Sequence, residues 1–419
     1  MWNLMLKSIQ LENFFSFKDI KIDFHNNENV IIGINGSGKS NLLKAIQFLK
    51  EGVTGIGLTK LITDIWGGFD AVCFCGDENK ADSISLTYEF DAKIIKRYGY
   101  GFIDNVFYNI IINRMPGFEN YYISQECLYQ RKFNQKKGMV DDFIYLKFEN
   151  GKGVIHGRKD SDNQLSEKPA LLQSKEVFYS NFNPQELALF QVNDPDRFLI
   201  QYAIRESIKE IVIYNYIDTT PHSSIRKPMK PTGEKRLLPD GANLPQILNT
   251  IKINYRRDYQ KMTEMLNQIN GNFRGFEFHP IGGNIELMLE ESGLNRLLHV
   301  THISDGTLRF LCMLSIFYNP DRGKLICIDE PEVGLHPDMI LSLTNAIKDA
   351  SIDTQFIIAT HSENVLNSFN LENIKVFEKN SLNETMVKSL SEEEFKGWYE
   401  GFMPGKMWRA GDLGGNRWQ

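Results

Sequence analysis

The octapeptide Gly33-Ile34-Asn35-Gly36-Ser37-Gly38-Lys39-Ser40 fits G-x-x-x-x-G-K-[ST] at every position. Its flanks give it meaning. Asn29-Val30-Ile31-Ile32 before it is a short apolar run of the kind buried on both faces of a parallel sheet. After it, Leu42, Leu43, Ile46 and Leu49 recur at helical spacing between Ser40 and Lys50. A glycine-rich turn between a buried strand and a helix start aims backbone N–H groups at an anion, and the helix dipole adds to the attraction. The expected triphosphate-binding set is Gly33, Asn35, Gly36, Ser37, Gly38, Lys39, Ser40 and Asn41, with Lys39 charging the outer phosphates and Ser40 offering its hydroxyl to Mg²⁺.

Two later strands are predicted to reach the same place. Leu325-Ile326-Cys327-Ile328-Asp329-Glu330 is an apolar run ending in adjacent carboxylates, where Asp329 would hold the metal and Glu330 would polarise the attacking water. Gln355-Phe356-Ile357-Ile358-Ala359-Thr360-His361 delivers a histidine. Ligands of open α/β sheets sit beyond the carboxyl ends of the strands, so His361 is expected to face the γ-phosphate. The catalytic set is therefore Glu330, His361 and Lys39, and the metal set Ser40 and Asp329.

The remaining pattern is α/β with an antiparallel insertion. Leu4 to Leu11 and Ile20 to Phe24 read as an opening hairpin, and strands at Ile84 to Phe90, Val106 to Asn113 and Asp142 to Phe148 as a β-lobe. Helices are predicted over Arg197 to Ile213 and Leu244 to Ile269, with Thr219 to Gly241, rich in Pro, Lys and Gly, as a mobile loop between them. A capped helix at Gly306 to Tyr318 follows Ser304-Asp305, and another runs from Pro337 to Ala350. These patterns suggest lobes at 1–175 (phosphate loop and β-lobe), 176–275 (helical) and 276–419 (the second half of the nucleotide site).

The order of motifs resembles that of ATP-binding-cassette ATPases: phosphate loop, S-x-G signature, Asp-Glu strand, Gly334-Leu335-His336-Pro337, then a histidine. The opening hairpin with Asn13-Phe14-Phe15-Ser16-Phe17 is similar to the RecF/SMC branch. Leu238-Pro239-Asp240-Gly241-Ala242-Asn243-Leu244 and the ending Gly411-Asp412-Leu413-Gly414-Gly415-Asn416-Arg417-Trp418 resemble a group of bacterial stand-alone ATPases found in phage-defence operons. That resemblance implies an ABC-type head that hydrolyses ATP with Mg²⁺. It also implies a homodimer or higher oligomer in which Ser304, Asp305 and Gly306 of one copy close on the nucleotide held by the other. A separately encoded effector, a nuclease or toxin, would read the nucleotide state. The resemblance assigns no position to the glutamine that links metal to the lobe interface in this superfamily; Gln47 and Gln125 are candidates by position.

Charge and composition narrow the alternatives. With 47 Lys+Arg against 53 Asp+Glu the chain has net charge −6, which excludes a uniformly basic nucleic-acid coat but not a local groove. Between Arg205 and Lys261 there are eleven Lys/Arg against six Asp/Glu, interleaved with Tyr214, Tyr216, Tyr255 and Tyr259. This segment reads either as a nucleic-acid face, which would suit a genome-maintenance ATPase binding DNA directly, or as a solvated or protein-binding lobe. No apolar run is long enough for a membrane helix and no signal peptide is evident, so a cytoplasmic location is expected. The long mixed insertion between Lys39 and Ser304 argues against a transporter subunit, and no second acidic cluster supports a self-contained nuclease. Cys73 and Cys75 read more readily as alternating strand residues than as metal ligands. The tail, with Trp398, Trp408 and Trp418, is open to packing on the core or to partner recognition.

Overall fold

The computed structural model describes residues 6–76, 81–91, 104–116, 120–134, 139–158, 174–391 and 403–414. At its centre lies a six-stranded sheet, made of β10 (Ile211–Tyr214), β14 (Leu325–Asp329), β15 (Gln355–Thr360), β3 (Glu28–Gly33), β16 (Ile374–Lys379) and β17 (Thr385–Ser389), in that spatial order. The first five are mutually parallel, and β17 closes the edge antiparallel to β16. Every residue of β3 and β15 is buried, which explains why their centres, Val30 to Ile32 and Phe356 to Ala359, read as unbroken apolar runs rather than alternating ones.

Alternate side chains of these strands feed two cores. Ile31, Leu325, Cys327, Ile357 and Ala359 point toward the helix Lys39–Thr54 and an eight-stranded antiparallel sheet. Val30, Ile32, Ile326, Ile328, Phe356 and Ile358 point the other way, toward the helices Asp305–Phe317 and Pro337–Ala350. The eight-stranded sheet joins the opening hairpin, β1 (Leu6–Phe14) and β2 (Phe17–Asp23), to β4 (Ser83–Phe90), β5 (Val106–Arg114), β6 (Tyr121–Asn134), β7 (Met139–Glu149), β8 (Lys152–Arg158) and β9 (Ser174–Tyr179). Its order is β2-β1-β4-β5-β6-β7-β8-β9, so hairpin and β-lobe are one sheet. A small sheet of β11 (Phe273–Ile281), β12 (Asn284–Glu291) and β13 (Leu298–His299) lies near the helices Leu244–Asn254 and Arg256–Ile269.

Several expectations are corrected. The helix predicted to run from Arg197 to Ile213 covers only Leu199–Lys209; Ile211-Val212-Ile213-Tyr214 becomes β10, paired in parallel with β14. β-Branched residues favour that edge position, and the Glu210 carbonyl anchors it by accepting from Lys324 N at 2.9 Å. The helix predicted from Leu244 to Ile269 breaks at Tyr255, whose backbone leaves the helical region (φ −130°, ψ 65°). The segment Thr219 to Gly241 is irregular but held rather than loose. The Arg226 guanidinium is buried there and donates to the carbonyls of Thr219, Val300 and Ile303 at 2.7–2.9 Å.

Of the four interleaved tyrosines only Tyr216 is exposed: Tyr214 is buried with its hydroxyl on the Leu237 carbonyl, and Tyr255 and Tyr259 pack partly against the second core. Cys73 is buried and Cys75 exposed, and the segment forms an isolated bridge, Phe14 with Cys73, rather than the expected strand. In the tail, Met407, Trp408 and Leu413 join the second core, while Trp398 and Gly415 to Trp418 lie outside the described residues. Among the described residues no helix is long and apolar enough to cross a membrane.

One side chain staples the two large sheets. Gln355, fully buried at the start of β15, accepts from Leu6 N (3.1 Å) and donates to the carbonyls of Leu6 (2.9 Å) and His25 (3.0 Å). Gln355→Leu keeps approximate volume but strands these backbone groups in a dry core. It should cost roughly 2–4 kcal/mol in urea unfolding; a cost under 1 kcal/mol would mean that the staple is dispensable.

Candidate functional site

β3 ends at Gly33, where the chain must turn tightly. A Cβ on Gly33 would stand 2.4 Å from both the Phe377 carbonyl oxygen and Ser37 Oγ. Gly38 caps the following helix with φ 108°, and a Cβ there would meet Thr385 Oγ1 at 2.4 Å and Ser16 Oγ at 2.8 Å. Those two hydroxyls belong to a brace behind the loop. Thr385 Oγ1 lies 2.8 Å from both Ser16 Oγ and the Ser37 carbonyl oxygen, and Asn41 Nδ2 donates to Ser16 Oγ at 2.8 Å. The hairpin turn and β17 thus fix the loop together, a role for Ser16 and Thr385 that no sequence pattern announced.

At the helix start, Lys39 is 5% exposed and its Nζ donates to the loop carbonyls of Gly33 (2.9 Å) and Ile34 (3.1 Å). Burial pushes its pKa down to about 8, against the attraction of Asp329, Glu330 and Glu332. Ser40 Oγ donates to Asp329 Oδ2 at 3.0 Å. Burial raises the Asp329 pKa, partly offset by that hydrogen bond. Glu330 follows in a left-handed conformation (φ 49°) with its N–H on the Ala359 carbonyl at 2.8 Å. Its Oε1 lies 3.2 Å from His361 Nε2. Burial and the nearby Lys39 lower the His361 pKa.

Asn35, Gly36, Gly38, Lys39, Ser40, Asn41, Glu330 and His361 line one cavity of about 260 Å³. Ser304, Asp305 and Gly306 do not line it, nor do Gln47 and Gln125. Ser304 caps the helix Asp305–Phe317 by accepting from Thr307 N (3.2 Å), Asp305 pairs with Arg226 (2.5 Å), and Gly306 packs so close to the Gly334 carbonyl that a Cβ would stand 2.8 Å from it. Reasoning from sequence also missed Glu332, whose Oε1 accepts from Thr360 Oγ1 (2.5 Å) and His361 N (3.1 Å). The only available signal was a second acid two residues beyond Glu330.

The donor set suits a phosphate chain and a hard divalent ion. Free N–H groups cluster at the start of a 16-residue helix, Ser37 Oγ is buried without a partner, and the Ser40–Asp329 pair offers oxygen ligands. A parallel sheet presenting these groups at its carboxyl edge defines the phosphate-loop class of nucleoside triphosphatases. Residues 5–366 match the AAA ATPase domain, and the chain belongs to that family.

Over 376 residues, 86% of each chain, it is 23% identical to an ATP/GTP phosphatase of Helicobacter pylori. It is 50% identical to the DNA replication and repair protein RecF of Lactococcus lactis subsp. cremoris, but over 46 residues, 11% of this chain and 13% of that protein. The fold is that of SMC heads. A crystal structure of an SMC head bound to the C-winged helix domain of ScpA aligns with TM-score 0.54 at 15% identity, covering 93% of this chain and 99% of that one. An SMC head with an extended coiled coil, bound to the C-terminal domain of ScpA from Pyrococcus furiosus, aligns with TM-score 0.53 at 13% identity, covering 94% and 98%.

Gly36 and Gly38 separate backbone strain from crowding. Both have positive φ, but nothing lies within 4 Å of a Cβ on Gly36. Gly36→Ala should cost about 1–2 kcal/mol, and Gly38→Ala about 1–2 kcal/mol more, because the Ser16–Thr385 brace must give way. Equal losses in thermal unfolding would show that the brace does not restrain the loop.

Proposed function

We propose that the protein binds ATP with Mg²⁺ in the cavity between Lys39 and His361 and hydrolyses it to ADP and phosphate. The observation that carries this reading is the 3.0 Å contact between Ser40 Oγ and Asp329 Oδ2, which sets two oxygen donors from opposite ends of the chain beside the phosphate loop. Ser40 and Asp329 would hold the metal, which when bound neutralises phosphate charge. The loop N–H groups and Lys39 bind and orient the phosphates. Glu330, aimed by its left-handed backbone and paired with His361, orients water and takes up its proton.

The signature points outward in this scheme. By the resemblance to ATP-binding-cassette ATPases, Ser304 to Gly306, which do not line their own chain's cavity, close on that of a second copy, so that nucleotide binding holds a head-to-tail dimer or a larger assembly together. The solved SMC heads, bound to domains of ScpA, support a head that presents a surface to a protein partner. By the resemblance to ATPases of phage-defence operons, that partner is a separately encoded nuclease or toxin, and the protein is a cytoplasmic, nucleotide-switched sensor or scaffold for it.

Two variants test the site. Lys39→Ala removes the cation but leaves the loop N–H groups, and nucleotide affinity by calorimetry should fall by about 100-fold or more. Wild-type affinity would refute the reading. Glu330→Gln preserves shape and should bind ATP and Mg²⁺ normally while phosphate release slows by about 10²–10⁴-fold. The ATP-bound assembly should then accumulate in size-exclusion chromatography; unchanged turnover would move the proton-accepting role to another group.

A further inference from the structure

Glu332 is the one carboxylate at the nucleotide edge to which the scheme above gives no task. It lies two residues past Glu330, on the turn leaving β14, yet its bonds run to β15. Oε1 accepts from Thr360 Oγ1 at 2.5 Å and from the backbone N–H of His361 at 3.1 Å. Thr360 Oγ1 in turn accepts from Ser362 N at 3.0 Å, and Ser362 caps the helix Glu363–Leu366. One oxygen of Glu332 therefore organises the three residues 360–362 at the point where β15 releases its histidine.

The same turn is tied to β15 once more, through Glu330 N to the Ala359 carbonyl at 2.8 Å. These two ties, one on either side of Pro331, fix the height of His361 relative to Glu330, whose side chains then meet at 3.2 Å. Glu332 Oε2 is buried without a partner, and burial raises the pKa of the group. Keeping a carboxyl group in such surroundings is costly, and a residue serving only to fill space would be apolar. Its bonded neighbours place its use at His361.

We propose that Glu332 is a positioning residue for ATP hydrolysis, holding the His361 backbone so that the imidazole stays in register with Glu330. The inference rests on the ATPase reading and extends it. Glu332 touches neither substrate nor metal; it acts through His361. Groups that position a catalytic side chain alter turnover more than ground-state binding, because small displacements matter most in the transition state.

The test is steady-state hydrolysis by the full chain with Mg²⁺, comparing wild type, Glu332→Ala, Glu332→Gln, His361→Ala and the double variant Glu332→Ala/His361→Ala. Glu332→Ala should lower kcat by about 10–100-fold with KM within about threefold. Glu332→Gln keeps an acceptor oxygen for Thr360 and His361 N and should retain most of the turnover. Adding Glu332→Ala to His361→Ala should slow the enzyme no further, since the two act as one unit. Wild-type turnover by Glu332→Ala, or a double variant slowed by the product of both single factors, would overturn the inference alone. A wild-type chain without turnover would overturn the ATPase reading and this inference with it. Should Glu332→Ala fail to fold, Thr360→Val removes one donor while keeping the carboxylate, and its kcat should fall with KM held; an unchanged kcat overturns the proposal.

Discussion

The nucleotide edge depends on the parallel pairing of β15 with β14 on one side and β3 on the other. Ile358 stands opposite Ile328 and Val30, and Ala359 opposite Asp329 and Ile31. That register sets the carboxyl ends of three strands side by side. Asp329 can then meet Ser40 across 289 residues of chain, and His361 can meet Glu330. Backbone hydrogen bonding fixes the register, and burial of both faces holds it, because a one-residue slip would exchange the two cores that alternate side chains fill. Burial at that edge also perturbs its ionisable groups, lowering Lys39 and His361 and raising Asp329.

Around this sheet the structure spends polar contacts where strands change direction. Gln355 and Asn29 saturate backbone groups at the amino ends of β15 and β3, the latter through His25 N and the carbonyls of His25 and Phe356. At the carboxyl ends, Ser16, Asn41 and Thr385 brace the phosphate loop, and Glu332 gathers residues 360–362. On the signature side, Arg226 binds Asp305 together with the carbonyls of Val300 and Ile303. Each device satisfies groups that burial would otherwise leave unpaired, and those at the carboxyl ends adjoin residues assigned to the site.

Much of this was legible in the sequence because it is encoded locally. Strands β3, β14 and β15 carry unbroken apolar runs, Val30 to Ile32, Leu325 to Ile328 and Phe356 to Ala359, and the loop, the Asp-Glu pair and the histidine each lie just beyond one. What escaped was set by distant contacts. Ile211 to Tyr214 continued the apolar spacing of the preceding helix, and only its place beside β14 makes it a strand. The Ser16–Thr385 bond spans 369 residues and the Glu332–Thr360 bond 28, separations that leave no periodicity to read. Thr219 to Gly241 has the composition of a loose loop, and contacts with distant residues tie it down, among them the buried Arg226, the Met229–Ile285 bridge and the Tyr214 bond to the Leu237 carbonyl.

The central claim is that Ser40 and Asp329 form a metal site serving the phosphate loop. Thiolate prefers softer ions to Mg²⁺, so exchanging the hydroxyl for sulfur in Ser40→Cys changes which metal the site accepts. ATP turnover by Ser40→Cys, measured with Mg²⁺ and then with Mn²⁺ or Cd²⁺, tests the claim most directly. The account predicts turnover that collapses with Mg²⁺ and recovers with the softer ion. Wild-type turnover with Mg²⁺, indifferent to the metal supplied, would contradict it.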